Sequence, residues 1–188
     1  MRGGIDAWSE FVTNSRKHLA TPMANNVGLE AILSYKSESR MALLRDYWLD
    51  TPWDTWMIAR ERAFEERKLL FEILVAAFVV LLAFVVHRED DWIALTLGTS
   101  LIVIAADPSC YYLSVLLVFG FLWDRWPLMS LGLCVLSALS AAASIFLQYH
   151  DDHYVTMAVA TVLCVVAAIL HAATSSVPIA TESRVNVS

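Results

Sequence analysis

The 188-residue chain is 58% hydrophobic and has a formal net charge of -6, a composition outside the ordinary water-soluble range. The acidic balance offers no basic face to nucleic acid, and Lys and Arg fall mostly before residue 69. After residue 68 the apolar residues come in long blocks rather than at the periods of a soluble core, which implies an all-α, polytopic helical membrane protein with the bilayer as its solvent.

No apolar stretch follows Met1, so no cleavable signal peptide is expected. Ile5, Trp8, Phe11, Val12 and Leu19 recur at helical spacing, with Asp6, Glu10, Asn14 and Lys17 elsewhere on the wheel, and predict an amphipathic helix over residues 5–19. Such a helix needs an apolar surface, whether the rest of the N-terminal region, the bilayer interface or a partner. Thr21-Pro22 and Asn25-Asn26 mark a loop, and a short helix is predicted from Leu29 to Tyr35. Ser37-Glu38-Ser39 caps a further helix with Met41, Leu43, Leu44 and Trp48 as apolar contacts, before Asp50-Thr51-Pro52 closes the segment. Residues 1–50 thus read as an extramembrane helical cap.

Thr51 as N-cap, Pro52 at the first helical position and Asp54 three residues after the cap predict a helix start. No Gly or Pro interrupts the chain from there to beyond Val86. A continuous helix of about 35 residues would be about 50 Å long and would hold the cap about 25 Å above the hydrocarbon, as a strut. Arg60, Glu61, Arg62, Glu65, Glu66, Arg67 and Lys68 read as a solvated, internally paired collar on it, and Glu72, one turn inside, as neutralised by Lys68 at i-4.

A transmembrane domain over residues 51–173 is expected, with about five spans near 69–86, 92–106, 110–123, 128–149 and 154–173. The second and third are short, and Asp107-Pro108-Ser109-Cys110 between them is a strong breaker. A two-span hairpin, a re-entrant pair and one broken helix are open, the last giving four spans; the hairpin is preferred because an unbroken span would be much too long. Asp124-Arg125-Trp126-Pro127 reads as an interfacial turn. The 128–149 helix is rich in Ser, Ala and Gly, which let helix backbones approach closely, so it is expected to be the most protein-contacted. The 174–188 tail is polar and expected to be loose, and its Asn186-Val187-Ser188 sequon reads as incidental.

The densest ionisable clusters are His87 to Asp91 and His150-Asp151-Asp152-His153, which fall on opposite sides of the membrane in a five-span layout. Asp107 shares a side with the second cluster. Asp107, His150, Asp151, Asp152 and His153 are therefore the candidate ligands for a divalent metal, since imidazole and carboxylate suit such ions. The plainer reading of these polar residues is that they sit in water between helices. Cys110, Cys134 and Cys164 lack zinc or haem spacing and read as small apolar residues, and His171 as a hydrogen-bonded packing residue. There is no phosphate-cradling glycine loop, HExxH helix or nucleophile elbow, so the sequence singles out no catalytic residue and no cofactor.

Ala106-Asp107-Pro108-Ser109-Cys110-Tyr111-Tyr112, followed by Leu113 to Trp123, resembles the late hairpin of bacterial polytopic membrane proteins with the type C glycosyltransferase fold. The resemblance covers residues 106–123 and, in general layout, the last four or five spans. It implies a bacterial inner membrane, lipid-linked sugar donors, and an extracytoplasmic Asp107 and N-terminal region. The family's catalytic carboxylate lies in an early extracytoplasmic loop after a first membrane helix; no span is expected here before residue 69, so no catalytic residue carries over. Counting Arg60, Arg62, Arg67 and Lys68 against Arg88, Arg125 and Arg184 instead places the N-terminus in the cytoplasm.

The functional expectation is a non-catalytic accessory or scaffolding subunit of a larger membrane assembly, with the bilayer and other membrane proteins or further copies of itself as partners. A module of a glycosyltransferase-like protein handling a lipid-linked substrate is the first alternative. A transporter component is the second, with Glu72 and His171 as its intramembrane candidates.

Overall fold

A computed structural model describes residues 4–19 and 23–175. The described chain is helical throughout, its one β-bridge joining Asn26 to Ser109. Its α-helices are α1 (Ile5–Leu19), α2 (Leu29–Ser34), α3 (Met41–Leu44), α4 (Asp54–Glu65), α5 (Lys68–Val86), α6 (Asp91–Gly98), α7 (Ser100–Ala105), α8 (Pro127–Phe146) and α9 (His150–Ser175). Short 3₁₀ turns occupy Ser37–Ser39, and a longer 3₁₀ segment runs from Cys110 to Leu122. The 176–188 part of the tail, with Asn186, lies outside the described residues.

Three helices, α5, α8 and α9, are long and apolar enough to cross a membrane. The 19 residues of α5 rise about 28 Å, close to one hydrocarbon thickness. The 92–123 run folds as a hairpin, not as one broken rod: α6 and α7 run one way, the 3₁₀ segment runs back, and Glu89 before α6 meets Arg125 after the segment in a 2.6 Å ion pair. The return segment has only 13 residues. At the 3₁₀ rise of about 2.0 Å per residue it covers about 26 Å, where an α-helix would cover about 20 Å. The outbound arm breaks at Thr99, where side-chain hydroxyls compete for backbone carbonyls: Thr96 donates to Trp92 O (2.8 Å), Thr99 to Thr96 O (2.7 Å) and Ser100 to Leu97 O (2.5 Å).

The expected strut is not present. The helix predicted from Thr51 to Val86 starts at Asp54 without a side-chain cap and breaks at Glu66-Arg67. Arg67 leaves helical geometry (φ -118°, ψ 9°) while its Nη1 donates to Leu33 O (2.7 Å) and Tyr35 O (3.2 Å). Those carbonyls sit at the open end of α2, where no helical partner remains for them. Helix α4 therefore folds over the end of the bundle, and the cap packs directly on it. The collar is internally paired at Lys68 and Glu65 (3.0 Å), but Glu66 binds Lys36 of the cap (2.7 Å), and Glu72 is exposed, with Lys68 bonded to Glu65 instead.

The central helix is α9, not the small-residue helix α8. In the most apolar window of each, 39% of α9 is buried against 17% of α8. Ala158, Thr161, Val165, Ala168, Ile169 and Ala172 of α9 are buried, and with Leu97, Val103, Phe119, Leu122 and Trp126 they make the core. One small residue of α8 matters at this contact, since a Cβ on Gly132 would lie 3.2 Å from Cys164 Sγ. His171 is half-buried, with its Nδ1 3.3 Å from Ser175 Oγ.

Candidate functional site

The cap meets the bundle through an extended strip. Val27 N donates to Pro108 O (2.8 Å) and Cys110 N to Asn25 O (2.8 Å), so residues 25–27 pair with the Asp107 turn as a short antiparallel ladder. The Asn26 amide donates to Asp107 Oδ2 and accepts from Ser109 Oγ (3.4 Å). Gly28 follows, and a Cβ there would stand 2.8 Å from Val103 O and 3.1 Å from Ala106 O. Its backbone is extended (φ 160°), so glycine serves close approach here and not an unusual dihedral. Beyond it α2 buries Leu29, Ala31, Leu33 and Ser34.

A charged cleft of about 150 Å³ opens beside this strip, lined by Glu30, Ser34, Arg60, Glu61, Phe64, Glu65 and Asp107. Arg60 Nη2 donates to Ser34 Oγ (2.8 Å), Nη1 reaches Met23 O (3.5 Å), and the guanidinium lies 5.1 Å from the Trp56 ring. Its buried Nε has no partner among the described residues, and neither has Asp107 Oδ1. Burial lowers the Arg60 pKa against the pull of Asp107, Asp151 and Glu30. Burial also raises Asp107, opposed by the Asn26 hydrogen bond and Arg60. Glu30 is pushed up to about 7, by burial first and the Asp107 charge second, with Arg60 opposing. Arg60 is the one cation lining this cleft, against the carboxyl groups of Glu30, Glu61, Glu65 and Asp107.

The other predicted acids are structural acceptors. Asp151, only 6% exposed, accepts from Trp56 Nε1 (2.9 Å) and Met41 N (3.1 Å) through Oδ2. Asp152 Oδ1 accepts from Tyr35 OH (2.6 Å) and Arg40 Nε (2.7 Å). These acids are not in a loop, as the sequence suggests, but in the first turn of α9, where the helix dipole favours negative charge. His150 and His153 stack on Tyr154, at 6.1 and 4.7 Å between ring centroids. The candidate metal ligands are thus drawn to separate partners: Asp107 to Asn26, Asp151 and Asp152 to the cap, the histidines to an aromatic ring. Among the described residues no three His, Cys, Asp or Glu side chains converge in a way that would hold a metal ion.

Sequence reasoning passed over Glu30, Arg40 and Trp56, and gave Asn26, Tyr35 and Arg60 other places, in a loop, at a helix end and in a solvated collar. Trp56, Arg60, Ala63 and Arg67 recur at i, i+4, i+7 and i+11, a stripe that could have marked one face of α4 as turned inward. Nothing local distinguishes Glu30 from a solvated glutamate. No protein family, curated protein or solved structure matches the chain.

Proposed function

We propose that the chain is a non-catalytic accessory or scaffolding subunit of a larger assembly in the bacterial inner membrane. Five crossings hold it there: α5, the α6–α7 arm, the 3₁₀ segment, α8 and α9. In this layout the cap, the Asp107 turn and the start of α9 share one side, and the Glu89–Arg125 pair lies on the other.

The observation that carries the reading is the outward face of α8. Cys134, Ser137, Ala138, Ala141 and Ser144 are exposed there. Small residues contribute little to a lipid-facing surface but allow a neighbouring helix to pack at short range. The polar groups at the junction of cap and bundle fit the same reading, since Asp151, Asp152 and Arg67 act as internal braces. Extraction in mild detergent followed by native mass spectrometry tests it, with the expected result a complex with another membrane protein or with further copies of the chain. Ala138→Leu and Ala141→Leu should dissociate that complex while leaving the fold intact, because both sites face outward. An isolated monomer with no partner would overturn the proposal.

One observation favours a second reading, a module handling a lipid-linked substrate. The turn that carries the glycosyltransferase resemblance presents Asp107 to a cleft with one carboxylate oxygen unpaired. Polyprenyl-phosphate co-purifying with the chain and lost in Asp107→Asn would favour it; lipid content indifferent to that change would reject it.

A further inference from the structure

Helix α1 turns Ile5, Trp8 and Phe11 outward at 87%, 67% and 60% exposure, with Val12 beside them and Trp8 packed edge-on to Phe11 at 5.7 Å. Asp6, Glu10, Thr13 and Asn14 occupy the other side of the helix. A 15-residue helix is marginal in water by itself, so this one depends on an apolar surface. None of the other described residues covers that face.

Three observations say which surface it is. The first is the position of the membrane boundary. Tyr111 and Tyr112 stand exposed at the cap end of the hairpin, and Trp92 and Trp123 at the other end, the placement of two aromatic belts. The second is reach. Leu19 ends α1, and Met23, whose carbonyl accepts from Arg60 and from Asn26 N, stands two residues before the strip paired with the turn that precedes Tyr111. Four Cα steps separate Leu19 from Met23, at most about 14 Å, so α1 is held close to that boundary. The third is charge. Over Ile5–Leu19 the acids Asp6 and Glu10 balance Arg16 and Lys17, which leaves apolar burial rather than attraction to anionic lipid as the driving force.

We infer that α1 lies flat in the lipid headgroup region of its own bilayer at the cap end, with Ile5, Trp8, Phe11 and Val12 turned to the acyl chains. The helix is then a lateral anchor that fixes the height of the cap over the membrane. The inference rests on the reading that the chain crosses the bilayer.

Site-directed spin labelling of the full chain tests it, in phosphatidylcholine vesicles and in vesicles of equal phosphatidylcholine and phosphatidylglycerol. Cys110, Cys134 and Cys164 are first replaced by Ser or Ala, and labels are attached to Trp8→Cys, Phe11→Cys, Glu10→Cys and Asn14→Cys, with Val80→Cys on the exposed face of α5 as control. Collision with oxygen, which dissolves in acyl chains, is compared with collision with a water-soluble nickel chelate. The expected oxygen-to-nickel ratio is several-fold higher at 8 and 11 than at 10 and 14, in both lipid mixtures. Equal, nickel-rich values at all four sites would place α1 in water and overturn the inference. Shielding of 8 and 11 from both reagents would do the same by showing that protein covers the face. A low ratio at Val80 would instead refute the membrane crossing itself, which separates the two failures.

Discussion

Gly28→Ala probes the docking of the cap most directly. The new Cβ would sit 2.8 Å from Val103 O, 3.1 Å from Ala106 O and 3.3 Å from Pro108 Cδ. Two of these neighbours are backbone carbonyls at the end of α7, which cannot rotate aside as a flexible side chain would. Overpacking of this kind costs about 1–3 kcal/mol. Against it stands the lower entropy of an unfolded chain with Ala, worth about 0.4–1 kcal/mol where the backbone suits Ala, as this extended one does. The clash wins, and the net loss is about 0.5–2 kcal/mol. Hydrogen exchange at the Val27 and Cys110 amides reads it, since these bind Pro108 O and Asn25 O across the strip. Exchange should quicken by up to about tenfold for each 1.4 kcal/mol lost. Gly98→Ala is the matched control: no atom lies within 4 Å of its Cβ position, so only helix propensity acts, stabilising by about 0.5–1 kcal/mol. Equal behaviour of the two variants would refute the close packing of residues 25–29 on residues 103–108.

Three further outcomes follow from the same junction. Trp56→Phe removes a donor from the buried Asp151 carboxylate and should lower stability by about 1.5–3 kcal/mol, read as a fall in melting temperature in detergent; an unchanged melting temperature would mean that Asp151 is solvated. Arg67→Met frees Leu33 O and Tyr35 O, with a cost of about 1.5–3 kcal/mol, and a pair of spin labels on α4 and α5 should report a wider angle between them. The pH dependence comes from Glu30, which keeps its proton up to about 7 in the folded cap and up to 4.5 when unfolded. Between these values the folded state binds the extra proton, so its contribution is present below pH 4.5 and lost as pH rises through about 7. Melting temperature should fall across that window, less steeply in Glu30→Gln, where only the like-signed contribution of Asp107 persists; a rise with pH would contradict the burial of Glu30.

How far the sequence could be read depended on how local each cause was. The apolar blocks, the Asp107-Pro108 turn and the amphipathic 5–19 helix are visible because hydropathy, proline geometry and helical periodicity act within a few residues. The break at Glu66-Arg67 was not visible, because no helix breaker occurs there and the carbonyls that engage Arg67 lie 32 and 34 residues upstream. The misreading of His150 to His153 as a solvated loop has a similar origin. Asp151 and Asp152 are acceptors for Met41, Trp56, Tyr35 and Arg40, and the |i−j| separations run from 95 to 117 residues. In α8 the small residues are plain in the sequence, but composition cannot say which helix occupies the middle of a bundle.

By itself, then, the sequence determined that this protein is helical, that its apolar segments lie after residue 68, and that the chain turns at Asp107-Pro108. Only the tertiary structure decided that the cap rests on the bundle end, that α9 is the centre, and that Glu30, Arg60 and Asp107 share a cleft while the candidate metal ligands do not converge. The physical reason is that burial in lipid is a property of each segment alone, whereas the partner of a buried charge is chosen by groups far away in the chain.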